Sequence, residues 1–247
     1  MSVEKRLSEI WAADYIQTLP SLIKDRGFIF ADNEQKDILI TGFNPSFRDG
    51  EVAGYFHGPI RNIWFDEKHD NYWSPIKKML VEPEQNIDLR ENADYLDIFY
   101  FREQNQNFLQ EHIIPNPNGV RFLIDQLNLT QNIIENIVRP KLLVVKNKES
   151  WAYFGKLFEE KGWIWMGYKF EFVQNMVCGE LYKIVGLLDS PERIAPEITK
   201  TNLEGSYVFF TQHINQYTAA EKRPTASVLK AILDWYDTEK NVRKLGV

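Results

Sequence analysis

Four short apolar runs, Asp37–Thr41, Tyr95–Phe101, Leu142–Lys146 and Tyr207–Thr211, alternate with stretches of helical periodicity, and together they predict an α/β fold. The expected architecture is three layers, α/β/α, around a central four-stranded, mainly parallel sheet, with a β-hairpin insertion. Each run is rich in Ile, Leu, Val, Phe or Tyr and short for a helix, as in strands buried on both faces. The intervening segments suit the crossovers that parallel strands require. Within 163–188, Gly162–Phe172 and Leu181–Leu188 flank a polar loop, the pattern of a hairpin or an added edge.

Leu7, Ile10, Trp11, Tyr15, Leu19, Leu22 and Ile23 recur at helical spacing, so residues 3–24 read as one amphipathic helix. Further helices are expected at Trp73–Val81, Val120–Leu127, Asn132–Val138, Trp151–Lys161 and Thr225–Val242, with Ser150 and Thr225 as first-turn or capping residues.

No linker-like stretch divides the 247 residues, which are read as a single domain, 1–247. The composition, 44% hydrophobic and 26% charged, is that of a soluble protein, and no apolar run approaches the roughly 20 residues of a membrane span. The start shows no secretory pattern, and the lone Cys178 forms no internal disulfide, so a cytoplasmic setting is expected. A net charge of −6 weighs against non-specific duplex binding, which depends on neutralising phosphates, and a nucleic-acid role then needs a local basic surface. Aromatics make up 14% of the residues, enough to build a core and leave some rings for stacking on a base.

In open α/β sheets, ligands bind beyond the carboxyl ends of the strands, so the residues there are the site candidates. They are Gly42, Phe43, Asn44, Pro45 and Ser46 after the first run; Asp97 within and Arg102 after the second; Asn147, Lys148 and Ser150 after the third; and Gln212, His213 and Asn215 after the fourth. The four histidines lack metal-site spacing and the single cysteine excludes a thiolate site, so neither metal nor other cofactor is expected. The 42–46 turn lacks the Lys-Ser/Thr pair of a phosphate loop, and no Gly-x-Ser-x-Gly elbow occurs.

Gly42-Phe-Asn-Pro-Ser46, Val138-Arg-Pro-Lys-Leu-Leu-Val-Val-Lys-Asn147 and a later strand leading to His213 together resemble the uracil-DNA glycosylase superfamily. The resemblance is to its mismatch-specific uracil/thymine branch, which has a Gly-x-Asn-Pro first motif. Gly54-Tyr-Phe-His-Gly-Pro59 and Asn71-Tyr-Trp-Ser-Pro-Ile76 are similar to that branch's aromatic loop and the helix start that follows it. The order of elements matches over about residues 37–215. It implies an enzyme that rotates a uracil-like or mispaired base out of DNA and hydrolyses its N-glycosidic bond.

By matching position, Asn44 holds the attacking water and His213 stabilises the departing base. Tyr55 or Phe56 stacks on the base, while Gly42, Phe43, Pro45 and Ser46 line its pocket. Asp97 falls where many members carry a base-reading Asn; an ionised carboxylate only accepts hydrogen bonds, so it favours a base that presents donors. The run His213-Ile-Asn-Gln-Tyr-Thr departs from the family's second motif, leaving Ile214 or Tyr217 as the wedge into the duplex. Arg48, Lys148, Asn215, Lys222 and Arg223, with Arg61 and Lys146, are the candidate DNA contacts on a basic rim. A DNA-binding monomer is expected. A module on the same fold that binds nucleic acid or a nucleotide without turnover is the alternative, and an unrelated small-molecule enzyme is a third. In plainer terms, Asp97 pairs with Arg102, and His57, His69 and His112 have no assigned role.

Overall fold

The computed structural model describes residues 2–48, 50–105, 107–156, 162–212 and 214–244. Its strands are β1 (Ile29–Ala31), β2 (Ile38–Gly42), β3 (Phe56–Gly58), β4 (Val81–Glu82), β5 (Ile87–Asp88), β6 (Ala93–Asp97), β7 (Leu142–Val145), β8 (Tyr168–Met176), β9 (Gly179–Leu187) and β10 (Tyr207–Thr211). Its α-helices are α1 (Val3–Ala12), α2 (Ser21–Arg26), α3 (Ile60–Phe65), α4 (Trp73–Lys77), α5 (Gly119–Asn132), α6 (Lys148–Phe154) and α7 (Ala226–Lys244).

The central sheet corrects the expected one. It is six-stranded and mixed, in the order β6-β2-β7-β10-β9-β8, and two small two-stranded sheets, β1-β3 and β4-β5, stand apart from it. Neighbours from β6 to β10 run parallel, whereas β9 pairs antiparallel with β10 and β8 with β9. The 163–188 segment is therefore the antiparallel end of the main sheet and not an insertion beside it. The reason lies in β10, whose five residues are all buried. An open edge there would expose its unpaired backbone groups, and β9 covers it. The small sheets escaped detection because strands of two or three residues carry no readable periodicity.

Alternation divides the central strands between two cores. Leu39, Leu143, Val145, Val208 and Phe210 face one core, with Leu7 and Trp11 of α1, Phe122 of α5 and Phe154 of α6. Ile38, Ile40, Leu142, Val144 and Phe209 face the other, with Trp64 of α3, Ile76 of α4 and Leu229 of α7. The expected 3–24 helix breaks into α1, a 3-10 turn at Asp14–Thr18 and α2, because Ala13 and Pro20 are not helical and Pro20 opens α2. Helix α5 runs on into a π-helical turn, Ile133–Val138, closed by Arg139 at φ 51°. Helix α6 begins earlier than expected, capped by Asn147, whose side chain accepts from Glu149 N, and it ends at Gly155 with φ 115°. Thr225 Oγ1 accepts from Val228 N at 3.3 Å at the start of α7.

Glu135, on the π-helical turn, is fully buried and accepts from Thr201 Oγ1 at 2.8 Å and Asn202 N at 2.6 Å. Glu135→Leu is expected to cost about 3 kcal/mol, since two donors lose their acceptor, and Glu135→Gln to cost less. A lowered urea midpoint at unchanged slope is the expected reading, and a midpoint like the unaltered protein's would remove this role. No described helix is long and apolar enough to cross a membrane.

Candidate functional site

The register of β2 and β6 places Gly42 beside Asp97, with Ile40 beside Tyr95. Tyr95 and Asp97 are two residues apart, so both side chains stand on the same face of the strand. The Tyr95 hydroxyl donates to Asp97 Oδ1 at 2.6 Å, and the Tyr72 hydroxyl, just ahead of α4, joins Tyr95 in turn. Because Tyr95 donates to the carboxylate, Tyr72 is the donor to Tyr95. A Cβ on Gly42 would lie 1.8 Å from the Tyr95 hydroxyl, 2.0 Å from Asp97 Oδ1 and 2.8 Å from the Tyr72 hydroxyl. Glycine is thus required at this strand end because it makes room for the chain.

Lys146, immediately after β7, is 1% exposed, and its ammonium sits 4.2 Å from the centre of the Tyr72 ring, a cation–π contact in a dry setting. Burial pushes the Asp97 carboxyl up to about 6, opposed by the Tyr95 hydrogen bond and the positive charge of Lys146. Burial also draws the Lys146 ammonium down to about 8, opposed by the charge of Asp97. Both phenols are held well above the usual phenol range, chiefly by burial, and stay protonated donors.

Asp97 and Tyr95 open onto a cavity of about 310 Å³ whose walls are largely aromatic: Phe30, Phe56, Trp73 and Tyr100. The pair β1-β3 forms one side, held to the chain beyond β6 by Ile29 N to Tyr100 O at 3.2 Å and by the Phe28–Phe101 bridge. Helix α3 supplies Ile60, Asn62 and Ile63. A carboxylate in flat apolar walls accepts donors from a planar ligand while the rings pack on its faces. Trp73 lay within a motif singled out in the sequence, and Tyr95 was discoverable from its i−2 spacing to Asp97. His57, also on the wall, lay within the Gly54–Pro59 motif, where only the aromatic rings Tyr55 and Phe56 were given a role.

The Gly42–Ser46 turn is placed differently. Asn44 Nδ2 donates to Glu103 O at 2.6 Å and Pro45 O at 3.0 Å, so its amide stitches two loops together and does not line the cavity. Phe43 is buried with its ring edge-on to Phe99 at 5.4 Å; Pro45 is buried and Ser46 half-buried. Tyr55 is 61% exposed and stacks on Phe28 at 4.4 Å, whereas Phe56 reaches the cavity. His213 lies outside the described residues.

Among the DNA-contact candidates, Ile214 is 1% exposed and packs in the core beside α7, while Tyr217 is 85% exposed and is the residue of the two that reaches solvent. Asn215 accepts from Tyr217 N at 2.8 Å, and Arg223 donates to Asn215 O at 3.1 Å, so both knit their own loop. Arg48, Lys148 and Lys222 are exposed. Arg61 is exposed but paired with Glu91, and Lys146 is buried, so the expected rim loses Lys146. Asp97 does not pair with Arg102, which is buried and bound to Glu51 Oε2 at 2.9 Å and Val52 O at 2.7 Å. Among the described residues, no group of three or more His, Cys, Asp or Glu side chains is placed to hold a metal ion. The chain matches no protein-family model and no curated protein.

Proposed function

We propose that the protein is a DNA base-excision N-glycosylase that takes an extruded base into the aromatic cavity and reads its hydrogen-bond donors with Asp97, acting without a cofactor in the cytoplasm. The observation that carries the reading is the Tyr72–Tyr95–Asp97 chain, whose last two members line the cavity and present a pre-oriented acceptor between flat apolar surfaces. The likeness of the 42–46, 54–59 and 71–76 segments to the mismatch-specific uracil-DNA glycosylase branch supports the same reaction. That likeness assigns the attacking water to Asn44, which stands outside the cavity lining with its amide engaged, so Oδ1 is the atom left for the role.

Oligonucleotides containing uracil, thymine opposite guanine, hypoxanthine or 7-methylguanine are incubated with the protein and then with alkali, and breaks at one or more of the modified sites in excess of a no-protein control are the expected result. Asn44→Ala is expected to slow the release by about 100-fold, in the range for a positioned catalytic group. Release unchanged in this variant would place the water elsewhere. A second reading, a binding module without turnover, is favoured by one observation, the engagement of the Asn44 amide by backbone carbonyls. It predicts binding of the same oligonucleotides with no strand breaks.

A further inference from the structure

A second polar pair, outside the Asp97 chain, stands at the mouth of the same cavity. There β1 and β3 run parallel with Phe30 opposite His57, and Asp32 N donates to Gly58 O at 3.0 Å. This short ladder brings Asp32, just past the end of β1, against the middle residue of β3. Asp32 Oδ1 lies 2.7 Å from His57 Nδ1, and the imidazole stacks on the Phe30 ring at 5.0 Å and 14°. The ring, 49% exposed, is thus oriented in rotation by a carboxylate and in tilt by an aromatic face. His57 lines the cavity, and with Nδ1 held by Asp32, Nε2 is the ring nitrogen available to an occupant. Asp97 is the other ionisable group besides the tyrosines among the residues lining this space.

We infer that His57, oriented by Asp32, is the general acid that protonates the departing base, which makes bases with an accessible acceptor nitrogen and a donor-bearing edge the preferred substrates. The inference rests on the excision reading above. In the step, the C1′–N bond breaks and its electron pair goes to the base nitrogen. The proton on His57 Nε2 passes to a ring nitrogen of the base; water adds its oxygen to C1′, and the proton it releases restores the imidazolium. Asp97 accepts from the donor edge and His57 donates to the acceptor, so the two side chains divide recognition from proton delivery. A guanine-type or hypoxanthine ring presents both features. Uracil presents a single ring N–H between two carbonyls, which repel a carboxylate.

The test compares a base that needs a proton with one that does not. Hypoxanthine leaves poorly unless protonated, whereas 7-methylguanine already carries the positive charge in its nucleoside and leaves neutral. Single-turnover excision by His57→Gln is expected to fall about 100-fold for hypoxanthine and less than about threefold for 7-methylguanine. Asp32→Asn is expected to lower hypoxanthine release about tenfold, with the same sparing of 7-methylguanine. Equal losses on both bases would mark His57 as a structural residue and overturn the inference. So would hypoxanthine release within about threefold of the unaltered protein, or release of 7-methylguanine alone by that protein. If the unaltered protein releases hypoxanthine while His57→Gln retains that activity and Asp97→Ala loses it, the cavity stands and only the acid falls. If the unaltered protein releases no base at all, both readings fall.

Discussion

Asp97→Asn is expected to lower excision of a donor-bearing base by about 100-fold, because it replaces a charged acceptor with a neutral amide that also presents N–H groups to the substrate's donors. The pH dependence identifies the cause. A donor edge needs the carboxylate, and burial lifts this carboxyl to about 6. For 7-methylguanine, which leaves without a proton from His57, excision should therefore rise with pH through about 6 and level off above it, and this rise should disappear in Asp97→Asn. Lys146→Met removes the positive charge that pulls Asp97 down, so in that variant the rise should move to higher pH. Stability runs the other way. The folded-state carboxyl lies above its unfolded value, so the stability contributed by this group is present below the unfolded value and is lost as pH rises through about 6. Rates measured from pH 4.5 to 8 decide the matter, and an identical acidic limb in Asp97→Asn would assign it to another group.

Gly42→Ala is expected to destabilise the protein by about 3 kcal/mol, at the upper end for overpacking a core. The new methyl would stand 1.8 Å from the Tyr95 hydroxyl and 2.0 Å from Asp97 Oδ1, and it has nowhere to go because β2 is paired on both sides. For a chain of this size that is a fall of roughly 6–12 °C in thermal midpoint. Tyr95→Phe removes the nearest clashing atom, so the double variant should regain part of the loss while the Asp97 chain stays broken. A Gly42→Ala midpoint equal to that of the unaltered protein would show that the strand end has space the geometry denies.

Much of this site was legible at a strand end. Asp97 interrupts the apolar run 95–101, where a carboxylate is conspicuous and where the structure ends β6, and Asn71-Tyr-Trp73 stood out as a motif that proves to supply Tyr72 and Trp73. Asn44 stood out equally, yet its amide binds backbone carbonyls, because an Asn before Pro in a tight turn is as good a local staple as a ligand holder. Lys146 read as part of a basic rim because a cationic side chain is usually solvated. Burial between β7 and Tyr72 turns it into the counter-charge for Asp97. His57 lay within the Gly54–Pro59 motif but had no assigned role, since its partner Asp32 is distant in sequence and the strands that join them are only three residues each.

The sequence alone determined the alternation that sends successive side chains of β2, β7 and β10 to opposite cores, and it determined that polar groups follow the central strands. These are local properties, set by a two-residue period and by the preferences of the residues themselves. Only the tertiary structure decided how wide the sheet is, that Asp97 and not the Asn44 amide meets the cavity, and that His57 stands beside Asp32. Those outcomes depend on which segments distant along the chain come to share an edge, a face or a dry interior, and no local pattern encodes the partner.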